Sequence, residues 1–231
     1  MAQSQLFRSI RARFTLVFAF CSGLAAISSL AEDSEPTSPG GQAAPYEILF
    51  LGDSLTAGYG LTPEEAYPAL LGEKLRADGF AVEIRNAGLS GDTTAGGARR
   101  VGWVLRAPAD LVVVALGGND VLRGFPVEAT EKNLRAIIAE VKKRAPEADI
   151  LLAGMLAPPN MGQAYAEEFS AVYERIAESE DVTFVPFLLE GVAGDPALNQ
   201  EDGIHPNAKG QQKVASHLLP VIEGLIPPPP E

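Results

Sequence analysis

From Tyr46 onward the apolar positions fall into two alternating periods. Glu47–Leu51 (EILFL) is a short apolar run closed by Gly52. Tyr67, Leu70, Leu71 and Leu75 recur at helical spacing, and Gly79 stops that helix. Val82–Arg85 is a second strand candidate, and Thr94–Leu105 reads as a helix. Leu111–Leu116 (LVVVAL) is β-branched and ends at Gly117-Gly118, as a buried strand does. Leu134, Ile137, Ile138 and Val141 form an i, i+3, i+4, i+7 stripe with Pro146 beyond it. Ile150–Ala153 is a fourth strand. Tyr165, Phe169, Val172, Tyr173 and Ile176 form another helical stripe, Thr183–Val185 a fifth strand, and the last helix runs from about Asn207 to Leu219. Strands alternating with helices imply parallel pairing through right-handed crossovers. The expected fold is a three-layer α/β/α sandwich with roughly five parallel strands.

The flanks do not follow this pattern. Arg8, Arg11 and Arg13 precede an apolar run from Phe14 to about Leu30, which ends in Ser29-Leu30-Ala31 before Glu32. This is the layout of a secretory signal peptide, residues 1–31, cleaved after Ala31. The run is short for a membrane span and is broken at Cys21, Ser22 and Gly23, so no integral span is expected after cleavage. Residues 32–45 (EDSEPTSPGGQAAP) are too poor in apolar groups to pack and read as a flexible linker. The folded domain spans 46–225, and 226–231 reads as an extended Pro-rich tail.

Composition narrows the chemistry. Cys21 is the only cysteine, so the mature chain would lack disulfides, thiol catalysis and thiolate metal sites. Acidic residues outnumber basic ones by 30 to 18, and loss of Arg8, Arg11 and Arg13 moves the net charge from −12 to about −15. That balance argues against nucleic acid or anionic membrane as the main partner.

In open parallel sheets, ligands bind beyond the carboxyl ends of strands, so chemical residues should follow strands directly. The first strand leads into Gly52-Asp53-Ser54-Leu55. A serine in a tight strand-to-helix turn presents its hydroxyl at the sheet edge, beside free N–H groups able to hold an oxyanion. By itself Ser54 would be read as a helix cap. Near the end comes Asp202-Gly203-Ile204-His205-Pro206, with one of only two histidines. Imidazole is the natural base for a serine hydroxyl near neutral pH, and Asp202 is close enough in sequence to fix its tautomer. The second strand leads into Asn86–Thr93 and the third into Gly117-Gly118-Asn119-Asp120. Glycine there permits close backbone approach, and an Asn amide can donate to an oxyanion.

Taken together, the blocks GDSL, SGDT, GGND and DGIHP occur in an order that resembles the GDSL/SGNH hydrolase family over about residues 46–219. Within it, LGDSLTAGYG, LGGNDVLRGF and EDGIHPN look like the exported multifunctional thioesterase/lysophospholipase/arylesterases of Gram-negative bacteria. The resemblance implies Ser54 as nucleophile, His205 as general base and Asp202 as its orienting acid. It implies an oxyanion hole from the Ser54 N–H, the Gly91 N–H and the Asn119 side chain. It further implies a flavodoxin-like sheet, no metal or cofactor, and a small acyl ester or thioester as substrate. A carbohydrate O-deacetylase is the alternative within the family, and an inactive binding protein the alternative outside enzymology. Oligomeric state is not written in the residues, and a monomer is the default expectation. The remaining polar and aromatic residues receive structural readings. Trp103 is expected in the core, Arg99 and Arg100 on a solvated helix face, Arg123 at the surface and His217 half-buried. Asp53 and Asp120 are expected to bond loop backbones.

Overall fold

The computed structural model describes residues 44–229. The signal-peptide reading, and most of the linker, therefore lie outside the described residues. Five strands, β1 (Tyr46–Gly52), β2 (Val82–Gly88), β3 (Leu111–Ala115), β4 (Asp149–Ala153) and β5 (Thr183–Val185), form one sheet in the order β2-β1-β3-β4-β5. Every pairing is parallel. The helices are α1 (Ser54–Ala57), α2 (Tyr67–Ala77), α3 (Thr94–Val104), α4 (Gly118–Leu122), α5 (Val127–Arg144), α6 (Gln163–Glu180) and α7 (Ala208–Glu223).

This strand order reverses direction between β1 and β3. The β1-to-β2 crossover moves one way along the sheet and the later crossovers move the other. Right-handed connections then place their helices on opposite faces. α3, α5 and α6 accordingly pack side by side on one face, and α2 packs with α7 on the other. The filling between the layers is apolar. All five residues of β3, and Ile48–Leu51 of β1, are buried. Phe50 meets Tyr67 edge-on at 5.7 Å, and Phe169 meets Tyr173 likewise at 5.5 Å. The expected sandwich is present, with each predicted strand at its place and β2 extended to Gly88.

Several local expectations change. α7 continues past Leu219 through Pro220 to Glu223. Proline removes the N–H that would reach the carbonyl of Ser216, but both residues face solvent, where water can replace that bond. The GGND turn is a short helix, α4, which carries Asn119. Trp103 is 65% exposed rather than in the core. Gly97 and Val101 form the packing face of α3, and a Cβ at Gly97 would lie 2.3 Å from Leu116 Cδ1. At 100° per residue, Trp103 stands about 200° round from Val101, on the outer face. Arg100, expected on a solvated face, is partly buried and ion-paired. Ile226, where the Pro-rich segment begins, is buried against the core. Among the described residues no helix is long and apolar enough to cross a membrane.

Candidate active site

The topological reversal leaves a crevice at the carboxyl ends of β1 and β3, and the polar blocks converge there. β1 ends at Gly52, and Asp53 caps the N-terminus of α1 by accepting from the Leu55 N–H at 3.0 Å. Ser54 is thus the first helical residue, a position whose N–H has no intrahelical acceptor. The turn must be tight. A Cβ on Gly52 would sit 1.9 Å from Thr56 Oγ1, and one on Gly88 would sit 2.3 Å from the Ala57 nitrogen. Glycine at both places lets the ends of β1 and β2 close round α1. Ser54 is 9% exposed.

His205 Nε2 lies 2.9 Å from Ser54 Oγ, and His205 Nδ1 lies 2.7 Å from Asp202 Oδ2. Asp202 also fixes its own loop, because its Oδ1 accepts from the N–H groups of Ile204 and His205, each at 3.0 Å. Those backbone bonds and the imidazole bond hold the Asp202 carboxyl down at about 2. With Nδ1–H donated to a carboxylate, the Nε2 lone pair faces the serine hydroxyl. Asn207 caps α7 immediately afterwards by accepting from Lys209 N–H and Gly210 N–H. The loop is thereby anchored at both ends. The Tyr59 ring covers His205 at a centroid distance of 4.6 Å.

Leu89 to Asp92 is a turn closed by Asp92 N–H donating to Leu89 O at 3.0 Å. Gly91 is its third residue with φ +81°, the position of a type II turn that asks for glycine. Its own N–H is not the one that closes the turn. Its carbonyl accepts from Arg123 Nη2 at 2.9 Å. Asn119 is half-buried at the start of α4 and donates one amide hydrogen to Asp53 Oδ2 at 3.3 Å, leaving its second amide hydrogen to serve another acceptor. Burial pushes the Asp53 carboxyl up to about 6, against the bonds from Leu55 and Asn119 that favour its charge. Asp120 is buried and accepts from Thr94 N–H and Thr94 Oγ1, which ties α4 to the start of α3.

Three contributors escape a reading of the sequence. Arg100 reaches under the first two loops. Gln211 is 1% exposed and joins α7 to α1 and α2, accepting from Tyr67 N–H at 2.8 Å and donating to Leu55 O at 3.2 Å. A signal exists for Gln211, a polar residue at helical spacing with Val214, Ala215 and Leu218 on an apolar face. Tyr59 carries no local pattern that announces its place over His205.

A serine, an imidazole and a carboxylate in one hydrogen-bonded line, at the carboxyl edge of a parallel sheet, define a serine hydrolase. The sequence profile of the GDSL-like lipase/acylhydrolase family matches residues 50–213. Esterase TesA of Pseudomonas aeruginosa is 41% identical over 187 residues, covering 80% of this chain and 92% of that protein. Thioesterase 1/protease 1/lysophospholipase L1 of Escherichia coli K12 is 41% identical over 185 residues, covering 80% and 86%. A crystal structure of TesA superposes with a TM-score of 0.75 at 38% identity, covering 78% of this chain and 99% of that one. The chain belongs to the GDSL-like lipase/acylhydrolase family, and it is an ester hydrolase.

Proposed function

We propose that the protein cleaves carboxylic esters and thioesters through a covalent acyl intermediate on Ser54. The observation that carries this reading is the continuous line from Ser54 Oγ through His205 to Asp202, with links of 2.9 and 2.7 Å. Ser54 Oγ attacks the carbonyl carbon as His205 Nε2 takes the hydroxyl proton. Asp202 holds the imidazole tautomer and the charge that forms on it. The carbonyl oxygen becomes an oxyanion against the Ser54 N–H, the Gly91 N–H and the free amide hydrogen of Asn119. His205 then passes its proton to the leaving alcohol or thiol. Water, activated by the same imidazole, releases the acid and restores Ser54.

The surroundings favour an apolar acyl group. Among the described residues, the large exposed hydrophobics are Tyr59, Leu89, Leu122, Phe125, Leu156, Ile204 and Trp103. All but Trp103 stand on segments that leave the carboxyl edge, around Ser54 and His205. Such a rim suits aryl esters, short to medium acyl chains and lysophospholipids, the substrates we assign to this site. We further propose that residues 1–31 direct export to the periplasm or medium and that the mature enzyme acts as a monomer.

The test is a purified Ser54→Ala variant assayed on p-nitrophenyl butyrate, with fluorophosphonate labelling alongside. Activity and labelling should both vanish while circular dichroism is unchanged. Hydrolysis at the parental rate would falsify the assignment.

A further inference from the structure

The partly buried guanidinium of Arg100 serves three acceptors at once. Its Nη2 donates to Gly52 O at 2.8 Å, its Nη1 to Ala87 O at 2.7 Å and its Nε to Asp92 Oδ2 at 2.7 Å. Side-chain exposure is 19% for Arg100 and 8% for Asp92, so this is a sheltered, charge-assisted cluster rather than a surface ion pair. The acceptors are not scattered. Gly52 is two residues before Ser54 and ends β1. Ala87 is paired with Leu51 near the end of β2. Asp92 adjoins Gly91. The Gly52 carbonyl also accepts from Leu89 N–H at 3.0 Å, so the same atom holds the start of the Gly91 turn. Asp92 is in turn confined from the other side, since a Cβ on Gly96 would fall 1.7 Å from Asp92 Oδ1.

We propose that Arg100 is a positioning residue for ester hydrolysis, a fork that fixes the Gly91 N–H relative to the Ser54 N–H so that both point at one oxyanion. The inference rests on the oxyanion roles proposed above for those two groups. Arg100 touches neither substrate nor triad. It acts through the spacing between two loops that leave adjacent strands. A planar fork with fixed donor directions can hold three acceptors in register. A lysine ammonium is a single point on a flexible stem and cannot reproduce the register. An oxyanion hole works only when its donors stand in place before the charge develops. Releasing one loop should therefore be felt in turnover more than in ground-state binding.

The experiment compares Arg100→Lys and Arg100→Ala with Arg99→Ala, an exposed neighbour on the same helix, all checked for fold by circular dichroism and thermal melting. Because a displacement of about 1 Å costs about 10²-fold, kcat on p-nitrophenyl butyrate should fall about 10-fold in Arg100→Lys and about 10²-fold in Arg100→Ala. KM should stay within about twofold if the lost interaction belongs to the transition state. Phosphonylation of Ser54 by a fluorophosphonate should slow in parallel. Arg99→Ala should match the parent. Free guanidinium, well below concentrations that unfold the protein, should restore part of kcat to Arg100→Ala and none to Arg100→Lys. If Arg100→Ala does not fold, Arg100→Lys carries the test by itself. Parental kcat in folded Arg100→Lys, or a loss explained wholly by unfolded protein, would overturn the inference while leaving Ser54→Ala inactive. An active Ser54→Ala would instead overturn the proposed function, and this inference with it.

Discussion

Asp53 and Asp202 are both carboxylates beside the same serine, and their surroundings push them in opposite directions. Asp202 accepts three bonds and is held at about 2, while Asp53 is buried and raised to about 6. The consequences for folding have opposite sign. Asp202 contributes stability that is present above its unfolded value near 4 and is lost as pH falls toward 2. Asp53 binds its proton more tightly when folded, so its contribution is favourable below about 4 and is lost as pH rises to about 6. From 3.8 to about 6 that loss amounts to about 3 kcal/mol. We expect the parent's urea midpoint to decline between about pH 4 and about pH 6 and that of Asp53→Asn to lack this decline. The same variant should lose kcat, because Asn119 would then face an amide in place of a carboxylate oxygen. Asp202→Asn should lower kcat by about 10²–10⁴-fold with the fold intact, since an amide acceptor cannot enforce the imidazole tautomer. Asn119→Ala should cost about 10²–10³-fold in kcat, as loss of an oxyanion donor does in other serine hydrolases. Steady-state kinetics on one chromogenic ester checks both. Ser54, Asp202, His205, Gly91 and Asn119 are picked out only by the joint order of their four blocks and the family which that order resembles, because each turn taken singly is ordinary. Arg100 is not picked out, because one of two adjacent arginines on a helix looks the same in sequence whether it faces water or three sheltered acceptors.

At the scale of elements, the site depends on helices arriving at short distance from strand ends. Gln211 ties α7 to α1 and α2, and its amide satisfies one buried donor and one buried acceptor. Gln211→Ala strands both, and we expect a loss of about 2–4 kcal/mol in urea unfolding. Leu55 O is one of those groups and follows Ser54, so kcat of the folded fraction should fall as well. Element boundaries are legible where an apolar period is strong, as in β3, α5 and α6. They are hidden where a short helix replaces a turn, as in α4, because five residues give no period to detect. Trp103 misleads for a related reason. Two buried glycines on α3, Gly96 and Gly97, stand where large apolar residues would mark its inner face, so the most hydrophobic residue reads as the buried one.

For the whole molecule, the proposed export predicts a mature chain beginning at Glu32. Mass spectrometry of protein recovered from the periplasm of a Gram-negative host checks this, and recovery of the uncleaved chain would count against it. Hydrophobic periodicity was enough to specify a parallel α/β/α sandwich, because it is a local property of the chain, and the residues of a serine hydrolase followed from the joint order of four motif blocks and the family they resemble. Which partners those residues meet was decided only on folding. The sequence separation of 151 positions from Ser54 to His205 is closed to 2.9 Å by strand order and crossover handedness. The fork of Arg100, the bridge of Gln211 and the cover of Tyr59 arise from the same closure. Contacts of that kind join segments with no local relation, and only packing of the two helical layers on one twisted sheet brings them together.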